Sequence, residues 1–127
     1  MDVLTRIGLV ELAFGAVLGW AVAATMITPQ LVERVGVRKP RRILQAHLDY
    51  VIMGIILIAV GLAVPGLPTW LAVAIVIGTW LNPTLFLPLA WSPRAATRTW
   101  FQVLSVVSFT LTSGGLVGAA VVGLLRA

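Results

Sequence analysis

Cysteine is absent from the 127 residues, which excludes disulfides, thiolate metal sites, cysteine nucleophiles and iron–sulfur clusters. Charge is scarce as well: nine basic residues, four acidic ones and a single histidine. Three windows, Leu12–Val32, Tyr50–Pro93 and Thr99–Leu125, contain no Asp, Glu, Lys or Arg and together cover 92 residues. A soluble domain of this size cannot bury that much apolar chain. No heptad repeat and no low-complexity tract is present, and a faint two-hairpin symmetry does not match residue for residue.

What is present is long apolar sequence. A bilayer core about 30 Å thick takes roughly 20 residues of helix, so the first and third windows hold one span each and the middle one nearly two. The expected fold is all-α, an integral membrane four-helix bundle forming one domain over 1–127, with spans near 7–27, 43–64, 70–89 and 100–125. The first apolar run ends in Ala21-Val22-Ala23-Ala24 like a signal peptide, but Asp2, the interrupting Glu11 and three later spans argue that it is a retained helix. Thr28-Pro29 ends it. The second span, counted back from Pro65, is too short unless it starts near Ile43, which draws His47 and Asp49 inside. Asn82-Pro83 in the third span invites a kink.

A net charge of +5 would point to nucleic acid in a soluble protein. Here seven of the nine basic residues lie in two short loops, 28–42 and 91–99, and no nucleic-acid partner is expected. The positive-inside rule puts those loops in the cytoplasm and both termini outside, as in a cell (inner) membrane, and Trp70, Trp91 and Trp100 fall at span ends like an interfacial belt. The lipid bilayer is the first partner the composition implies.

Polar side chains inside a span are functional candidates. Gly8, Glu11, Gly15 and Gly19 recur at helical spacing, with Gly15–Gly19 a GxxxG pair, as do Ser105, Ser108, Thr112, Gly115 and Ala119, beside which Gly114–Gly118 is a second GxxxG pair. Such faces serve helix packing first and suggest a tight bundle that can oligomerise. Glu11 fits a proton-coupling carboxyl, a carboxyl hydrogen-bonded to a neighbouring helix, or a hydrated one near the outer interface, and a position about one turn inside favours the last. Asn82 can reach a substrate oxygen or a carbonyl freed by Pro83. Asp49 lies about 200° around its helix from His47, which favours pairing with a surface arginine.

His47 shares a face with Tyr50, Gly54 and Gly61, so that glycines leave an apolar groove beside the imidazole. A haem plane fits such a groove, with Arg38, Lys39, Arg41 and Arg42 placed to pair with its propionates. The competing reading is an interfacial histidine bonded to Asp49 or to a backbone carbonyl, and from spacing alone it is the commoner case.

Two segments carry a family resemblance. His47–Ile58 resembles the His-containing second span of the small four-helix membrane proteins that include styrene oxide isomerase and hydroxylaminobenzene mutase. Gly78-Thr79-Trp80-Leu81-Asn82 is similar to the Gly-x-x-x-Asn stretch of their third span. The resemblance implies a trimeric haem b enzyme in which a span-two histidine ligates iron between subunits, and in which ferric iron acts as a Lewis acid on the oxygen of a small lipophilic epoxide. By position His47 would be the metal ligand and Asn82 a pocket residue, while Arg38, Arg41, Arg42 and Gly54 are expected to bind the cofactor from their placement around His47. The chain departs from the pattern at Met53, where those isomerases have asparagine, and at Phe86, where they have tyrosine; Tyr50 is the candidate replacement. Two other readings stand beside this one: a non-catalytic membrane subunit packing through its GxxxG faces, and a small proton-coupled exporter using Glu11.

Overall fold

A computed structural model describes all residues, Met1–Ala127. The chain is helical throughout and contains no strand: α1 spans Val3–Ile27, α2 Pro29–Arg34, α3 Arg41–Ala63, α4 Thr69–Thr84, α5 Phe86–Trp91 and α6 Thr99–Arg126, with a 3-10 turn at Pro93–Thr97. Four helical stretches, with α4 and α5 counted as one, are long and apolar enough to cross a membrane. The expected four-helix bundle is therefore the fold.

The boundaries differ from the expected ones in ways local chemistry explains. The first span begins at Val3 rather than residue 7, because the Asp2 carboxylate caps it by accepting from the Leu4 amide at 2.7 Å. Pro29 closes α1 and, needing no amide donor, opens α2, so part of the stretch read as a hydrophilic loop is helical. Gly36, at φ +89°, then reverses the chain. The third span breaks after Thr84, since Pro83 and Pro88 each remove a backbone donor from its C-terminal half.

The tightest pairing is α1 against α3, followed by α4 against α6, with α3 meeting α4 between the two hairpins. Both tight seams are built on glycine. A Cβ on Gly8 would stand 2.8 Å from the Gly54 carbonyl oxygen, and one on Gly118 would stand 2.8 Å from Leu71. Gly78 likewise has the Thr112 backbone nitrogen 2.7 Å from where its Cβ would be. These small-residue faces are consumed inside the chain, with one exception: nothing lies within 4 Å of a Cβ on Gly114, and Gly115 takes its place against Ile75. Leu4, Leu57, Leu71, Ile75 and Ala119 form the main core, while Val10, Val17, Trp20, Val106 and Phe109 project outward as lipid-facing side chains would.

The two basic loops meet at one end of the bundle. The amides of Arg38 and Lys39 both donate to the Ala90 carbonyl, at 2.8 and 3.0 Å, and the Trp91 indole donates to the Val35 carbonyl at 3.0 Å. At the other end Arg126 donates to the carbonyls of Pro65 and Gly66. The Trp91 bond holds the first basic loop to the third span, and Trp91→Phe keeps the ring while deleting the donor. That substitution should cost about 1 kcal/mol and speed amide hydrogen exchange at Gly36–Lys39, leaving exchange within the spans unchanged.

Candidate functional site

His47 stands on α3 at its seam with α1, half-buried, with its Nδ1 2.6 Å from the carbonyl oxygen of Gly15. A carbonyl only accepts, so Nδ1 carries the hydrogen and donates it. The ring is thereby fixed in the tautomer whose Nε2 holds a lone pair, and Nε2 has no hydrogen-bond partner. Gly19 lies against the imidazole edge; a Cβ there would stand 3.1 Å from Cε1, so only a residue this small lets the ring lie flat on α1. This is the bond to a backbone carbonyl that the competing reading of His47 expected.

The glycine groove expected beside His47 is filled. Gly54 faces the backbone of α1, where a Cβ would stand 2.6 Å from the Leu12 nitrogen, and Gly61 faces Thr5 in the same way. Helix periodicity identified the face correctly but could not identify its occupant, and Gly54 therefore touches α1 rather than an open surface.

Asp49 and Asn82 meet on the side of α3 away from His47. Asp49 does not meet an arginine: its Oδ2 accepts from the Asn82 amide at 2.8 Å. The Ser108 hydroxyl of α6 lies 3.3 Å from both the Asn82 Oδ1 and the Gly78 carbonyl, within reach of donating to either. Asn82 also borders a cleft of about 160 Å³ between the third span and α6, shared with Phe86, Phe101 and Phe109. Tyr50 is 2% exposed; its hydroxyl sits 2.5 Å from the Thr84 hydroxyl, which itself donates to the Trp80 carbonyl. Its ring packs edge-on against Phe14, with centroids 4.8 Å apart, and beside Trp80.

Glu11 departs furthest from expectation. It is fully buried rather than interfacial, because α1 begins four residues earlier than its apolar run suggested, and neither carboxyl oxygen has a hydrogen-bond partner. It faces Asp49 and Thr79, and the Thr79 hydroxyl turns back to the Val76 carbonyl. Thr84, Phe14 and Trp80 were not singled out in the sequence. Only the i, i+3 spacing of Glu11 and Phe14 on the glycine face marked one of them.

At the basic end Arg38, Lys39 and Arg41 are exposed, while Arg42 is half-buried and donates to the Gln45 side chain at 2.9 Å. Arg41 and Arg42 stand about 8 Å above His47 along the α3 axis. No three His, Asp or Glu side chains converge on a point. No protein-family model, curated protein or solved structure matches the chain.

Proposed function

We propose that the protein is a haem b-binding integral membrane isomerase acting on a small lipophilic epoxide. The observation that carries this reading is the His47–Gly15 bond, which presents an unpartnered Nε2 lone pair at the edge of the α1–α3 seam. A hydrogen bond to the other ring nitrogen is how proteins orient an imidazole that ligates a metal. His47 would hold the iron, and Arg38, Arg41 and Arg42 would pair with the propionates. When bound, ferric haem supplies a Lewis acid that polarises the epoxide oxygen so that the ring opens to a carbonyl product without net redox change.

The protein's own part is placement and dryness. The Gly15 carbonyl keeps Nδ1 protonated and the ring plane fixed, and the lipid-facing apolar side chains around the seam exclude water. Asn82 and the His47 edge lie on opposite sides of α3, so one chain does not bring both to one ligand. A homotrimer, in which the Asn82 cleft of one copy faces the His47 edge of the next, would assemble them. Tyr50 contributes by fixing Thr84 and the third span rather than by touching substrate. In this reading the basic end is cytoplasmic and the termini lie outside, in the inner membrane.

Absorption of the purified protein tests the reading. A Soret band should be present in the wild type and absent in His47→Ala, with the helical circular dichroism of the two alike. A folded wild type without a haem spectrum after reconstitution with haem b would sink it. A haem-loaded protein that leaves small aryl epoxides unchanged would retain the cofactor and reject the isomerase.

A further inference from the structure

We propose that Glu11 is a membrane-buried proton-exchange site, holding its proton as a neutral carboxylic acid and exchanging it through the cleft between α1 and α4. The inference is independent of haem. It starts from an accounting of donors around a side chain with no solvent contact. An ionised carboxylate in apolar surroundings needs a cation or several donors. Glu11 has neither, because both its oxygens lack partners.

The groups that face it account for themselves. From α3 come Asp49, which offers an acceptor, and Tyr50, whose hydroxyl is committed to Thr84. The fourth helix holds no titratable residue, and its Thr79 hydroxyl is spent on Val76 while the Asn82 amide is spent on Asp49. The sixth helix has only Arg126, at its far end against Pro65 and Gly66. With neither carboxyl oxygen accepting a hydrogen bond and no cation beside it, the acid keeps its own hydrogen, and a protonated carboxyl is both donor and acceptor.

A route to this group is also present. A cleft of about 610 Å³ opens at the end where α1 begins, lined by Asp2, Arg6, Ile7, Thr69, Ala72 and Val76 among others. Ile7 lies one turn before Glu11 on α1, and Val76 one turn before Thr79 on α4, so the floor of the cleft is one layer of side chains from the carboxyl. Asp2 and Arg6 are the charged residues among its lining. Opening and closing that single layer would let a proton pass from the termini's side without exposing the rest of the bundle.

Dicyclohexylcarbodiimide, a lipophilic reagent that adds to protonated carboxyl groups, provides the test on the full chain in proteoliposomes. One adduct per chain is expected, mapped by mass spectrometry to Glu11 and absent in Glu11→Gln. Its rate should fall about tenfold per pH unit once the pH exceeds the titration midpoint of Glu11. Ala72→Phe, or Thr69→Phe nearer the mouth, should slow labelling severalfold while helicity is unchanged. The infrared carbonyl band of a protonated carboxylic acid should disappear in Glu11→Gln and persist in His47→Ala. A folded chain with no such band, or with Glu11 unlabelled, would overturn the proton site, and labelling as fast in both blocked variants would overturn the route.

Discussion

Gly54→Leu is expected to separate α1 from α3 and abolish the folded bundle, and Gly54→Ala is expected to destabilise it by about 2–3 kcal/mol, the upper part of the range for overpacked sites. The reason is what the new carbon meets. A Cβ on Gly54 would stand 2.6 Å from the Leu12 nitrogen, 2.9 Å from its Cα and 3.0 Å from the Gly8 oxygen, all backbone atoms that no rotamer change moves aside. Only displacement of a whole helix relieves the clash, and that displacement carries the Gly15 carbonyl away from His47. Gly8→Ala, with the Gly54 oxygen and Ile58 nitrogen both at 2.8 Å, should behave similarly. The double substitution should cost less than the two added, because one displacement serves both. Gly114→Ala is the matched control: nothing lies within 4 Å, and alanine is the better helix former by up to about 1 kcal/mol. Unfolding in mixed micelles, followed by circular dichroism, measures all four. If Gly54→Ala unfolds like the wild type, the α1–α3 seam is not where the structure has it.

Asn82→Leu should be the most costly single change among the polar groups, by about 1.5–3 kcal/mol, the range for a hydrogen bond to a charged or strongly polar partner. It removes the donor from Asp49 and the acceptor from Ser108 at once. Hydrogen bonds between membrane helices are usually worth less, about 0.6 kcal/mol on average, because the unfolded chain in lipid also finds partners. Asp49 is the exception to that mean, since it sits beside Glu11 with only one donor to satisfy it. Removing both partners, Asp49→Leu with Asn82→Leu, should therefore recover most of the loss, as apolar replacement of a whole pair tends to. A double-mutant cycle in the same micelle assay reads this directly. Additive losses would mean that the 2.8 Å contact contributes nothing to the α3–α4 junction.

The contrast between these two sites shows which parts of the molecule were legible in the sequence. The four spans were, because hydrophobic length and charge depletion are one-dimensional quantities and need no partner to be read. The glycine stripes were legible as faces, yet Gly54 shows where periodicity stops: it reports that a surface is smooth and says nothing of whether α1 or a ligand lies on it. Glu11 was misplaced for a related reason. Depth was counted from the charged limits of each run, whereas the Asp2 cap extends α1 outward and draws Glu11 below the surface. The Asn82–Asp49 bond joins residues 33 positions apart on different helices, and nothing local in either segment encodes it. His47, by contrast, stood out in the sequence by its isolation alone, and what the structure shows of it is a bond from Nδ1 to the Gly15 carbonyl.

The seam between the two hairpins also bears on how the chain is made. The first hairpin, α1 with α3, can close as soon as both helices have left the ribosome, since its glycine contacts are all its own. It then enters the lipid carrying Glu11 and Asp49 before Asn82, Thr79 and Thr84 have been synthesised. Until the third span arrives, the N-terminal half is committed in shape but unsatisfied in its polar groups, a half-built protein that the insertion machinery would have to shelter from lipid.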